Sequence, residues 1–216
     1  MTVSINEKGC LNAPGILHAP RPAIEHGALT TIKGIIVHQT DSDTAAATLN
    51  GYMNAGANGA HFLIDRGGTI YQVASLKKQT WHVGKLRSRC FAPHTCSPAE
   101  LVIQKKNEFR PNIVNKLEMR KTVPHRYPSN NDSIGIEIVG RCILPRHLDK
   151  AGLSKGERER LRGEKAVFEP VNIAQQASLQ RLIATLSMLL QVPSSEIFRH
   201  PEVSRKNPAE AGTAAW

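Results

Sequence analysis

Two short runs leave the chain little choice of conformation. "IKGIIVH" (residues 32–38) and "SIGIEIVGR" (133–141) are largely aliphatic, and each sets a titratable group against its branched residues, His38 at the end of one and Glu137 within the other. Short β-branched runs of this kind read as buried strands. If the second run alternates, Ile134, Ile136 and Ile138 face one side, and Gly135, Glu137 and Val139 the other. A carboxylate among such neighbours is costly unless it is paired, metal-bound or kept protonated. The bland alternative is an edge strand with Glu137 in water. His38 closes its own run and the polar Gln39-Thr40-Asp41-Ser42 follows. Strand ends of this kind hold the ligand sites of open α/β sheets, although a lone histidine there is more often structural.

The segments around these strands supply the rest of a sheet-and-helix architecture. "DSDTAAATLNGYMNAG" (41–56) reads as a helix, with Ser42 or Asp43 as N-cap and Gly56 as terminator. "AHFLIDRGGTIYQVASL" (60–76) reads as a hairpin, Asp65-Arg66-Gly67-Gly68 supplying the positive-φ residues of its turn. "NIAQQASLQRLIATLSMLLQ" (172–191) is the strongest helix. Ala177, Leu182, Ile183, Leu186, Leu189 and Leu190 recur at helical spacing, and Pro193 closes it. Residues 1–30 and the tail from Phe198 read as loops. Residues 85–130 carry ten Lys/Arg against three Glu with little periodicity, and 142–170 are a second charged stretch. Both look like basic insertions into a core, and long excursions of this kind are commonly functional or disordered. The fold class is therefore α/β: a central mixed β-sheet flanked by helices. The 216 residues fit one domain, 1–216.

Charge and cysteines narrow the partners. A net charge of +10 draws the chain to polyanions, whether nucleic acid, anionic membrane or bacterial cell wall. Aromatics at 5% do not furnish a stacking surface for single-stranded nucleic acid, and no nucleic-acid motif is present. No window approaches the roughly 20 apolar residues of a membrane span. The N-terminus has no basic region followed by a long apolar one, so the expectation is a protein made in the cytoplasm without a signal peptide. Cys90 and Cys96 are close enough to pair in an oxidising compartment; the alternative is that all four cysteines are reduced thiols.

His38, His200 and Glu137 are unremarkable singly. Two distant histidines, a carboxylate ten residues after the second and a lone buried-looking Glu are together the parts of a catalytic zinc site. "GIIVHQT", "AHFLIDRGGTIYQV", "WHVGK", "SIGIEIVG" and "FRHPEVSRKNPAEA" resemble, in order and over roughly half the chain, the zinc-dependent N-acetylmuramoyl-L-alanine amidases. That family includes phage amidase-type lysozymes, muropeptide-recycling amidases and peptidoglycan recognition proteins. The resemblance implies Zn2+ as cofactor, with His38 and His200 as ligands. The family's third ligand is an Asp or Cys a short loop after the second histidine. No Asp or Cys follows His200 here; the acids there are Glu202 and Glu210, and Glu210 stands at the family's spacing. The resemblance further implies Glu137 as general base, Lys206 as oxyanion stabiliser, and Trp81 and His82 as substrate-binding. His61 is either a further residue of that site or a core histidine. The tyrosine that many relatives carry before the "HFLI" histidine is Ala60 here, which shifts weight to Glu137.

The implied substrate is peptidoglycan or a muropeptide, cut at the amide between N-acetylmuramic acid and L-Ala. The implied setting is a bacteriolytic enzyme, an interbacterial effector or a phage endolysin, acting in the periplasm of a target cell after delivery or lysis. An effector would have a secretion apparatus and an immunity protein as partners. With the compact "EAGTAAW" ending the expectation is of no separate wall-binding domain, which suits such delivery. The alternatives are a non-catalytic peptidoglycan-binding module of the same fold and a cytosolic muropeptide-recycling amidase.

Overall fold

The two aliphatic runs lie side by side. In the computed structural model, which describes residues 3–216, a six-stranded mixed sheet is built from β1 (Ile16–His18), β2 (Gly34–Gln39), β3 (Phe62–Ile64), β4 (Ile70–Gln72), β5 (Ser133–Ile138) and β6 (Ile197–Arg199), in the order β6-β2-β5-β3-β4-β1. The β2–β5, β5–β3, β6–β2 and β1–β4 pairs are parallel, and the β3–β4 hairpin is antiparallel. Glu137 is on a central strand, paired with His38 on one side and Leu63 on the other, so the edge-strand alternative does not hold.

The alternation read from the sequence divides the sheet into two faces. Ile35, Val37, Ile134, Ile136, Ile138, Phe62 and Ile64 pack into one core with Leu179, Leu182, Ile183 and Leu186 of α5 (Ile173–Leu190). The opposite face carries His38 and Glu137, and Ile36 packs there with Val83, Leu86 and Val203. The α5 stripe is displaced from the expected one. Ala177 is exposed, and Ser178 and Leu179 take the buried positions above Leu182. The helix is capped by Asn172, whose side chain accepts from Gln175 N while Gln175 returns the bond.

Several expected boundaries move for local reasons. The predicted 41–56 helix shrinks to α1 (Ala45–Gly51), capped by Thr44 rather than Ser42 or Asp43. Asp43 pairs instead with Arg141, and the chain from Tyr52 to Gly56 breaks into turns. In the hairpin turn Gly68 alone takes a positive φ, +83°. A strand, β1, lies in the stretch expected to be loop, of which residues 1–2 fall outside the described residues; β6 and the short α6 (His200–Val203) occupy the expected tail loop.

The insertions are ordered. Residues 85–130 contain α2 (Pro98–Asn107) and α3 (Pro111–Glu118) beside a Cys90–Cys96 disulfide. Glu118 is buried between Gln104 Nε2 at 3.0 Å and Lys121 Nζ at 2.7 Å. Residues 142–170 contain α4 (Lys155–Lys165), opened by a Ser154–Glu157 capping box. Little apolar periodicity marks these stretches because capping, a disulfide and ion pairs hold them.

Gly135 shows how closely the site face is packed. A Cβ there would lie 2.8 Å from His82 Nδ1 and 2.9 Å from Ala60 Cβ. Gly135→Ala is therefore expected to cost about 1–3 kcal/mol, the usual range for overpacking. It would be read as a lower denaturation midpoint at unchanged m.

Candidate metal centre

Each of the three implied ligands is delivered by a different kind of element. His38 stands near the C-terminal end of β2, held by the parallel ladder to β5. His200 begins α6, directly after β6 pairs with β2. Glu210 is on the loop that follows, in a turn whose next residue, Ala211, takes a φ of 53°. All three are buried, and one ligand atom of each falls within 4.8 Å of the others. Glu210 Oε1 is 2.9 Å from His200 Nδ1 and 3.5 Å from His38 Nδ1. Glu202 does not join them, because its carboxylate accepts from Arg199 N at 2.6 Å.

A chain of hydrogen bonds assigns the ring protons. Ser133 Oγ donates its one proton to Ser129 O, at 2.6 Å, so it accepts from His82 Nε2 at 3.3 Å. His82 Nδ1 then accepts from His38 Nε2, at 3.0 Å, which leaves His38 Nδ1 bare. His200 Nε2 donates to Val83 O at 2.9 Å, so its Nδ1 is likewise the lone-pair nitrogen when the ring is neutral. Two bare imidazole nitrogens and a carboxylate oxygen facing one another repel unless a cation stands among them. Two imidazoles and one carboxylate are also a donor set of catalytic zinc sites, so these residues fit the ion.

The electrostatics agree. Burial lowers the His38 pKa to about 4, helped by the neighbouring His200, so the ring is neutral at physiological pH. Burial likewise lowers His82, well below the usual histidine range. Burial pushes Glu210 up, but hydrogen bonds and charge from His200 and His38, which these rings supply when protonated, outweigh it and bring the carboxyl to about 2. Glu137 goes the other way: burial raises it, and hydrogen bonding from Tyr52 only partly opposes the rise.

The group lines a cavity of about 380 Å³, together with Glu137, Lys206, Trp81 and His82. Trp81 is 48% exposed and lies flat on His26, with ring centroids 3.7 Å apart. His82 serves two neighbours at once, since it lines the cavity and also holds His38. His61 is not brought to the cavity. It is fully buried, its Nε2 donating to Lys78 O at 2.9 Å and its Nδ1 accepting from Gly135 N at 3.1 Å.

The sequence reading missed four contributors. Tyr52, at the end of α1, donates to Glu137 Oε2. Ser133 and Ser129 complete the His82 chain. Asn207 pins the Glu210 loop to the second insertion, donating to Arg162 O and Ala166 O at 2.8 Å each. Periodicity does not flag single polar contacts between distant segments. The one available cue was the missing tyrosine at position 60, which left a phenol to be sought elsewhere.

Groups that orient metal ligands commonly contribute 10–100-fold in affinity. His82→Ala is accordingly expected to weaken Zn2+ binding by about 10–100-fold while the chain stays folded. Competition against a chromogenic chelator measures it.

A model of the family described as N-acetylmuramoyl-L-alanine amidase matches residues 28–211. No curated protein matches the chain. Among solved structures, an AmpD derivative is 15% identical, with a TM-score of 0.47, over 91% of this chain and 86% of that one. The endolysin amidase LysCS from Clostridium intestinale is 15% identical with a TM-score of 0.46, over 91% of both chains. AmpDh3 from Pseudomonas aeruginosa, solved in complex with an anhydromuramic pentapeptide, is 18% identical with a TM-score of 0.46, over 80% of this chain and 51% of that one. The family match spans most of the sequence and both strands that carry His38 and Glu137, and on that ground the chain belongs to the N-acetylmuramoyl-L-alanine amidase family.

Proposed function

We propose that the chain is a zinc-dependent amidase that hydrolyses the bond between the lactyl group of N-acetylmuramic acid and the L-Ala of the stem peptide in peptidoglycan. One observation carries this reading. The bare nitrogens of His38 and His200 and the Glu210 carboxylate converge in the same cavity as a carboxylate of raised pKa and a lysine. His38, His200 and Glu210 would hold the zinc ion, which when bound supplies Lewis-acid polarisation and a lowered water pKa. Glu137 accepts the proton of the attacking water and returns it to the leaving amine. A carboxyl pushed upward by burial is suited to both halves of that exchange. Lys206 faces the developing oxyanion from the cavity wall. Trp81, braced by His26, offers a flat apolar face to the glycopeptide. A non-catalytic wall-binding module was the rival because no Asp or Cys follows His200. Glu210, in place beside both histidines, supports the catalytic reading instead.

The test is release of stem peptides from purified peptidoglycan. Glu137→Ala is expected to lose about 10²–10⁴-fold in rate, the usual worth of a positioned general base, while retaining stoichiometric zinc. A chelator should abolish activity and added Zn2+ restore it. The rate should also fall with acid, because the base works ionised. As burial raises Glu137, that fall begins above the usual carboxylate range. Full activity in Glu137→Ala or in metal-stripped protein would falsify the scheme.

The setting we propose is that of an exported bacteriolytic enzyme acting in a target cell's periplasm, an interbacterial effector ahead of an endolysin. The +10 charge suits an anionic wall, and the Cys90–Cys96 disulfide suits an oxidising compartment. Among the described residues no helix is long and apolar enough to cross a membrane. Directed to the periplasm of a Gram-negative host, the chain should lyse the cells, whereas cytosolic expression should be tolerated. Lysis by periplasmic Glu137→Ala, or toxicity confined to the cytosol, would contradict this setting.

A further inference from the structure

Tyr52 is buried, 5% exposed, and its position is set before Glu137 enters the picture. Its backbone N–H closes α1 on Thr48 O at 3.0 Å. Its ring packs with Ile24, Val73 and Ala74, with Leu49 alongside. Gly59 leaves the ring its space, since a Cβ there would lie 2.9 Å from Tyr52 Cε1. Held in this way, the phenol reaches across to the central strand and donates its hydroxyl to Glu137 Oε2. Among the described residues Oε1 takes no hydrogen bond from the protein, and Glu137 lines the cavity. One oxygen is therefore tied back and the other is free.

We propose that Tyr52 is a positioning residue: it fixes the Glu137 carboxylate so that Oε1 is the oxygen presented to the reacting water. Ala60 stands where a tyrosine was expected next to the "HFLI" histidine, and the phenol comes instead from the end of α1. A carboxylate free to rotate would spend part of its time with neither oxygen aligned, and misplacement of about 1 Å commonly costs 10²-fold in rate. The inference rests on Glu137 acting as the base.

The experiment is steady-state hydrolysis of a soluble muropeptide by wild type, Tyr52→Phe, Glu137→Ala and the double variant, with zinc content and melting temperature measured for each. Tyr52→Phe should lower kcat by about 10–100-fold at nearly unchanged KM and full zinc occupancy. In the Glu137→Ala background the same substitution should change kcat no further. A merely structural tyrosine would lower the melting temperature and cost the same factor in both backgrounds, and that outcome overturns the inference. So does a Tyr52→Phe variant with wild-type kcat. The hydrogen bond has its own readout, which needs no turnover. A far-downfield hydroxyl proton resonance in wild type should vanish in Tyr52→Phe and in Glu137→Ala; its absence from wild type overturns the inference. A wild type that carries this resonance but releases no stem peptides overturns the proposed function instead, and the positioning role falls with it.

Discussion

The parallel register between β2 and β5 is the constraint on which the site depends. Six paired residues, from Gly34 with Ser133 to Gln39 with Ile138, put His38 beside Glu137 on one face. The same register puts Ile35, Val37, Ile134 and Ile136 on the other, against α5. A slip of one residue in either strand would turn its own His38 or Glu137 into the apolar core and its isoleucines out of it, so burial of that core enforces the placement of the chemistry. β6 pairs parallel to β2 at the sheet edge, and His200 follows directly from its end. His38, His200 and Glu137, the two proposed ligands and the proposed base, thus descend from one hydrogen-bonded ladder.

Glu210 stands outside that ladder, and its placement is assembled differently. The loop is tied to the second insertion through Asn207 and to β6 through Arg199, whose guanidinium donates to Ala211 O at 3.1 Å and Ala214 O at 2.6 Å. Asn207 has its Oδ1 occupied as well, accepting from Ala209 N at 2.8 Å. These bonds fix the backbone on both sides of Glu210. The second insertion therefore has a definite task in the site, to anchor the loop from which the longer carboxylate reaches His38 and His200.

How much of this was legible in the sequence follows from the kind of force involved. β2, β3–β4, β5 and α5 announce themselves through apolar patterning, because burial of a repeated face is what forms them. His38, Glu137, His200, Glu210 and Lys206 were singled out together through the family resemblance of their motifs, and one cavity does hold all five. What was not readable depends on single polar contacts at long sequence separation: Tyr52 with Glu137 at 85 residues, His38 with His82 at 44. β1 and β6 are three residues each and too short to show a period. The insertions hide their helices for a related reason. α2 buries Gln104 and Asn107, and α3 buries Glu118, so polar side chains occupy positions that a periodicity argument reserves for apolar ones.

The two carboxylates of the site illustrate how environment divides labour. Glu210 and Glu137 line the same cavity, and the Glu210 charge raises the cost of ionising Glu137. The protein resolves the conflict asymmetrically. Glu210 faces two imidazoles and is held at about 2, so it stays an anion available to a cation. Glu137 receives one phenol hydroxyl, with burial and the Glu210 charge acting against ionisation, so it sits higher and exchanges a proton more readily. In the proposed scheme this divergence suits the first to hold a cation and the second to exchange a proton. The Tyr52 hydroxyl acts within that balance: its hydrogen bond to Glu137 opposes, in part, the rise that burial imposes.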